Sequence, residues 1–337
     1  MIKTAIIGFG GIAQAVHLKP HLELEKEGTA KLVAVCDVDT SRFEKKMEIN
    51  MGGSDTGLPE SVKRYTDYKE MLEKEDIDMV DICVPTFLHA EISNYALKAG
   101  VHVLCEKPMS LNYDLCQTMI ETAKDTGKKL MIGQCLRFDN SYLYLKELLE
   151  SGKYGKPISG VFNRLSTKPD WGWENWFLNY ERSGGAILDM QIHDTDIIRY
   201  IFGNPKSVSC FTHGVYSKVD IAHSHYIYDD FNFTAIGDWS REGTAFEESY
   251  VVAFEKATIV LSGGKVTAYV RGEKEPVEVE IDKVDPYRAE IMYFIDCIVN
   301  DKENVTNDPE DCAVTVKLVH TLLDSSDKNG AVVPFNA

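Results

Sequence analysis

Short apolar runs and stretches of helical period take turns along the first 135 residues. Ala5–Ile7 is apolar, breaks into glycines at Gly8 and Gly10, and gives way to the helix-compatible Ile12–Val16. Leu32–Cys36 reads as a second strand ending at Asp37, and Val62–Tyr65 as a short third. Asp67-Tyr-Lys-Glu70 has the spacing of a capping box, in which the two end side chains satisfy free N–H groups of the first turn. Met79–Val84 is the next strand, closed by Pro85, and His89–Ala99 a helix with Gly100 beyond its end. Strand Val101–Glu106, a helix from Asn112 to Gly127 and strand Lys129–Gly133 complete the series. Strict alternation of this kind predicts an α/β fold with a doubly wound parallel sheet. Ligands of such sheets bind beyond the carboxyl ends of the strands.

Beyond Gln134 the period changes. A helix over Ser141–Ser151, a strand at Ile158–Arg164 and an aromatic loop from Trp171 to Gly185 precede a helix, Ala186–Phe202, stopped by Gly203. Strand-like runs follow at 207–216, 226–235, 247–254, 258–262, 265–270 and 276–281. Short turns such as Gly263–Gly264 and Arg271–Lys274 join several of them, which predicts a mostly antiparallel sheet. Helices Tyr287–Asn300 and Pro309–Asp327 finish the chain. The expected division is therefore one domain over 1–134 and a second, α+β domain over 135–337. An open antiparallel sheet has a second face that must be covered or solvated. Thr258–Leu261 and the aromatics Tyr226, Tyr228, Phe231 and Phe233 favour covering it, so a homodimer or homotetramer through this sheet is expected.

Composition narrows the partners. Of 337 residues, 44% are hydrophobic and 26% charged, as in ordinary globular proteins. The net charge of −17 argues against nucleic acid or an anionic membrane. No apolar run approaches the ~20 residues of a membrane span. The chain enters its first strand at once, so no leader peptide is expected. Eight cysteines are scattered without a C-x-x-C pair, which suits reduced thiols in a cytoplasm. Cys36, Cys83 and Cys105 lie within apolar strands and read as small core residues.

The candidate chemistry begins at Gly8-Phe-Gly10-Gly11-Ile12-Ala13. Gly8 permits a tight turn, Gly10 lets the backbone approach a pyrophosphate, and Ala13 lets helix and strand pack closely. The helix start at Gly11 and Ile12 offers free N–H groups to phosphates. Asp37 lies twenty-four residues beyond Ala13, close to the spacing of a carboxylate on the adenosine ribose. With a strand before and a helix after, this is a Rossmann-type dinucleotide site. NAD is expected over NADP, because a 2′-phosphate would meet Asp37; Arg42 would soften that preference. Pro85, Thr86, Glu106 and Lys107 are the other strand-end positions. Lys107 is either a surface charge or a cation aimed at the cofactor crevice. After Ser183-Gly-Gly185, residues Asp189, His193, Asp196 and Tyr200 share a helix face, either a wet surface or the lining of a cleft.

Gly8–Ala13, Glu106-Lys107-Pro108 and Gly184-Gly185…Asp189-Met-Gln-Ile-His193 together resemble the glucose–fructose oxidoreductase/inositol dehydrogenase (Gfo/Idh/MocA) family. The resemblance spans nearly the whole chain, including Tyr287–Ile298. It implies an NAD(H)-dependent oxidoreductase acting on a secondary alcohol or ketone of a sugar, sugar derivative or cyclitol. It also implies that Lys107 meets both the nicotinamide and the reacting oxygen, and that a cis bond precedes Pro108. His193 would be the general base, with Asp189 holding substrate or orienting the imidazole. Pro85, Thr86 and His89 match a P-x-x-x-H loop beside the cofactor, although His89 could equally be a helix-start residue. Arg137 reaches substrate or cofactor, or forms a salt bridge. Trp171, Trp173 and Trp176 crowd a loop with Asp170 and Glu174, as a sugar platform with Trp176 as substrate contact or as a hydrophobic anchor. Gln191 stands where many members have glycine, facing either packing or the substrate pocket. His223 and His225 lack the further ligands a zinc site needs, and Asp189 and His193 need no metal for hydride transfer, so none is expected. Two other functions stay open: an NAD-retaining glycoside hydrolase working by transient oxidation, and a non-enzymatic dinucleotide-sensing regulator. Lys107 and His193 are both present and no basic patch is, which disfavours the regulator.

Overall fold

Strands β1 (Ile2–Ile7), β2 (Ala30–Cys36), β3 (Lys63–Tyr65), β4 (Met79–Ile82), β5 (His102–Glu106) and β6 (Leu130–Gly133) form one sheet in the order 3-2-1-4-5-6. Every pairing in it is parallel, so all six carboxyl ends share one edge. This is the doubly wound order, in which strand order reverses between β1 and β4. The computed structural model describes residues 1–49, 52–53 and 57–337. Helices α1 (Leu18–Lys26), α2 (Tyr68–Lys74), α3 (His89–Lys98) and α4 (Tyr113–Thr126) alternate with the strands. Parallel strands covered on both faces are apolar almost throughout, and β4 is buried at every position, Asp81 included. Asp67 caps α2 through the Lys69 N–H (2.8 Å), but Glu70 bonds Lys74 rather than completing the box. Asn112 caps α4, and left-handed Gly127 ends it.

The chain divides into two compact units. The first gathers Met1–Cys135, Pro169–Ser183 and Pro286–Ala313. The second gathers Leu136–Lys168, Gly184–Asp285 and Val314–Ala337. The aromatic loop and the penultimate helix, both expected in the second domain, thus belong with the parallel sheet. Packing gives the reason for the helix: Ile291, Phe294 and Ile295 bury against Ile2, Leu104 and Met131 of that sheet.

In the second unit, helix α5 (Asn140–Ser151) leads into β7 (Pro157–Leu165), and helices α6 (Gly185–Asp189) and α7 (Ile192–Phe202) follow. The remaining strands are β8 (Ser207–His213), β9 (Ile221–Ile227), β10 (Asn232–Asp238), β11 (Glu247–Phe254), β12 (Ala257–Ser262), β13 (Lys265–Val270), β14 (Val277–Glu278) and β15 (Val333–Pro334). With β7 they make a nine-stranded sheet ordered 14-13-12-11-7-10-9-8-15. Only β7 and β10 pair in parallel, so the mostly antiparallel α+β expectation holds. Helices α8 (Pro286–Val299) and α9 (Pro309–Asp327) complete the chain.

Two local expectations fail. The run 226–235 is a hairpin rather than one strand, turning at Asp229–Asp230 with the Tyr228 N–H donating to the Phe231 carbonyl (3.1 Å). Small inward residues, Ala222 and Ser224, hide the alternation of the first arm. Tyr226 and Phe233, expected on the open face, are fully buried on the inner one, with Tyr226 Oη 2.7 Å from Thr195 of α7. The predicted helix 186–202 is broken at Met190–Gln191, where the Ala186 carbonyl accepts both the Met190 and Gln191 N–H groups.

Candidate active site

In the first unit the carboxyl edge gathers most of the expected positions. Gly8 adopts φ +90°, and an added Cβ would lie 2.7 Å from the Cys83 and Val84 backbone, so the β1–β4 reversal closes only over glycine. Gly10 faces open space, with nothing within 4 Å of an added Cβ. Gly11 is pressed by Ile49 and by the Trp171 ring, 2.6 and 2.9 Å from such an atom. Asp37 ends β2 with both oxygens turned inward, accepting from the Phe9 N–H and the Asp39 N–H at 2.8 Å each. Burial raises its pKa above the usual carboxylate value although these N–H groups pull the other way. Arg42 pairs with Asp39 at 3.3 Å, and the Gln14 amide ties its carbonyl to that of Phe9.

Thr86, buried, and half-buried Pro85 follow β4. His89 is sealed in, with Nδ1 2.8 Å from the Pro108 carbonyl and Nε2 2.9 Å from the Val84 carbonyl. Burial pushes its pKa below the usual histidine value, against the pull of the two carbonyls. Its ring is therefore a tie between two loops, and the open choice made from sequence falls against a cofactor contact. Glu106 is buried and accepts the Lys107 N–H at 3.0 Å. Lys107 is half-buried, and the Lys107–Pro108 bond is cis, as the resemblance implies.

Trp176 is 9% exposed and stacks on Phe177 at 4.0 Å. It packs as an anchor of the loop, the other reading the sequence left open beside a substrate contact. Trp171 lies edge-on to Phe177 and beside Gly11, within the same unit as the glycine turn. Trp171 Nε1 and Gln134 Nε2, the latter just past β6, are buried donors without an acceptor among the described residues. An open glycine turn, an inward carboxylate and unsatisfied buried donors fit a dinucleotide. Gln134 escaped the sequence, where only its place after Gly133 at a strand end could have marked it.

In the second unit Asp189 ends α6 and His193 lies in the first turn of α7, both half-buried. Asp196, on the predicted polar face, is instead buried against Arg137, with Nε–Oδ2 2.8 Å and Nη2–Oδ1 2.6 Å. Arg137, offered as a cofactor contact, is 2% exposed in this bidentate pair, so the salt-bridge alternative is the one found. Gln191 donates to the Ala222 and Ala235 carbonyls at 2.9 and 3.0 Å and accepts from Ser224 at 2.7 Å. It serves packing.

Residues 2–134 match the GFO_IDH_MocA family description, oxidoreductase family, NAD-binding Rossmann fold, and residues 142–260 match the GFO/IDH/MocA C-terminal domain. The chain belongs to the GFO/IDH/MocA oxidoreductase family. Its first unit accordingly contains the family's NAD-binding Rossmann domain, residues 2–134. Myo-inositol 2-dehydrogenase of Thermotoga maritima is 35% identical over 204 residues, 60% of this chain and 55% of that one. D-glucoside 3-dehydrogenase of Escherichia coli is 31% identical over 215 residues, 63% of this chain and 57% of that one. The matched stretch thus spans just over half the length of these curated relatives. In fold, this GFO/IDH/MocA chain superposes on the aldose-aldose oxidoreductase of Caulobacter crescentus with TM-score 0.84, 21% identity and 99% of each chain covered.

Proposed function

We propose that the chain is an NAD-dependent dehydrogenase exchanging hydride with a secondary alcohol or ketone of a sugar, sugar derivative or cyclitol. The observation that carries this reading is the carboxyl edge of the parallel sheet, where the open Gly8–Gly10 turn, Asp37 and Lys107 all follow strand ends. Relatives that act on myo-inositol and on a D-glucoside supply the substrate class, since both compounds present ring hydroxyls. NAD would be held by Gly8–Ile12, Asp37 and Pro85–Thr86; when bound, its nicotinamide supplies the hydride acceptor. Hydride leaves a carbon that carries a hydroxyl, so a base must take the hydroxyl proton as the carbonyl forms. His193 fills that role, histidine being the side chain whose unperturbed form titrates near neutrality. Lys107 stabilises negative charge developing on the oxygen, as a preorganised donor does. Asp189 supports the imidazole or the substrate. A 2′-phosphate about 5 Å from Asp37 would be repelled by roughly 1–3 kcal/mol, favouring NAD. Eight buried free thiols suit a reducing cytoplasm.

The test is a screen of inositols, hexoses, anhydro-sugars and nucleotide sugars with NAD and NADP, read at the nicotinamide absorbance. Turnover with NAD and a polyol is expected; none with any compound would overturn the reading. With a substrate in hand, Lys107→Met should lose on the order of 10²–10³ in kcat. His193→Ala should lose on the order of 10²–10⁴ and flatten the acidic limb of the oxidation profile. Near-wild-type rates in either variant would remove that residue from the mechanism.

A further inference from the structure

One cluster of potential metal-ligating groups stands out among the described residues, and the proposed chemistry does not use it: His17, Asp81 and Cys83, all buried. His17 closes an unusual turn. Ala13–His17 winds as a π-helix before α1 resumes at Leu18. Such a turn admits one more residue than an α-turn and is frequent at functional positions. It sets the His17 ring between two carboxylates, Nε2 2.8 Å from Glu106 Oε1 and Nδ1 2.8 Å from Asp81 Oδ2. The first contact is an aligned hydrogen bond, the second a charge contact off the hydrogen-bond line. Ionised carboxylates only accept, and a bare Nδ1 would set its lone pair against the Asp81 oxygen 2.8 Å away, so both contacts are favourable with a proton on each ring nitrogen.

We propose that His17 is a positioning residue, an imidazolium that bridges Asp81 and Glu106 and thereby holds the Glu106–Lys107–Pro108 corner for reaction. It rests on the assignment of Lys107 made above. Glu106 is fixed from two sides, Oε1 by His17 and Oε2 by the Lys107 N–H. Gly133 of β6 leaves room for it: an added Cβ there would lie 3.3 Å from Oε1. The groups facing His17 are Asp81 and Cys83 from β4 and its end, Glu106 from β5 and the Tyr287 ring of α8; His21 shares the Asp81 oxygen, and Glu290 acts on Tyr287. Burial opposes a charge on His17, while Asp81 and the Cys83 sulfur together favour it, and the pKa lies well above the usual histidine value. Burial also pushes the Cys83 thiol up, so it stays protonated near neutrality. With the folded pKa raised, the bridge contributes fully below the unfolded value of about 6.5 and is lost as pH rises through the folded one.

The test begins on the cofactor-free wild-type protein, by nitrogen-15 NMR of the His17 ring, assigned with His17→Gln. Two protonated nitrogens at about pH 7.5 are expected, beyond an ordinary histidine's titration. A neutral ring there would overturn the bridge, and so would a stoichiometric metal in protein purified without chelator. His17→Gln should keep NAD affinity and lose on the order of 10²-fold in kcat, the scale of an ångström's misplacement. Unchanged kcat would overturn the positioning role. Full activity in Lys107→Met would instead remove Lys107 from the chemistry while leaving the ring protonation to decide the bridge.

Discussion

Gln191 lies fully buried at the start of α7, with its Cβ pressed to within 2.7 Å of where a Gly237 side chain would begin. Its amide joins the helix to both β9 and β10, so every polar atom of the side chain is used. Gln191→Met should therefore cost about 2–4 kcal/mol, as three buried partners lose a bond worth about 1 kcal/mol each. Denaturant unfolding would measure the loss, and KM for the polyol should stay put. A changed KM with unchanged stability would return Gln191 to the substrate pocket. His89 follows the same logic, a polar ring held between the Val84 and Pro108 carbonyls. Neither partner set is visible in the sequence, because each comes from another element.

The aromatic loop shows how an element is set by fit. Glu174 and Asn175 both adopt left-handed backbone, φ 48° and 54°, a conformation that side-chain-bearing residues adopt at a cost of about 1–2 kcal/mol each. Stacking of Trp176 on Phe177, the Trp171–Phe177 edge contact and the Arg182–Glu174 pair hold the loop there. Gly172 is a tight point within it: an added Cβ would lie 2.6 Å from the Phe177 ring. Gly172→Ala should cost about 1–3 kcal/mol by overpacking. Because Trp171 presses on Gly11, the same variant should weaken NAD binding, as a fluorescence titration would show. Wild-type stability and affinity together would mean that the loop yields freely. The start of α6 is set in a related way. Gly185, at φ +72°, lies so close to the Val219 carbonyl that an added Cβ would be 2.4 Å from it, which fixes where α6 starts.

At the scale of the molecule, the outer face of the nine-stranded sheet is the feature with the widest consequence. Val161, Val251 and Val260 pair side by side across β7, β11 and β12, and the first two are 39% and 43% exposed. This row replaces the aromatics expected there, which face inward. A second copy packing sheet to sheet is the occupant we propose, since a self-complementary apolar face suits two-fold pairing. Light scattering on Val251→Lys should then report monomer where the wild type reports a larger assembly. A monomeric wild type would end that proposal. No described helix is long and apolar enough to cross a membrane.

Local patterns determined much of this protein before any coordinates. Alternating strands and helices, the glycine turn, the acid after β2 and the cap of α2 are signals carried within a few residues, and each produced its element. The six-stranded sheet and the positions of Gly8, Gly10, Asp37, Glu106 and Lys107 at its carboxyl edge were legible for that reason. Tertiary structure decided what depends on partners distant in sequence. Arg137 and Asp196 are 59 positions apart, His17 and Glu106 are 89 apart, and Gln191 reaches 31 and 44 positions to its carbonyls. The hairpin inside 226–235 and the attachment of Pro286–Ala313 to the first unit belong to the same class. A polar residue reads alike in sequence whether it meets water, ligand or a buried counter-charge; only the desolvated partner across the fold distinguishes them.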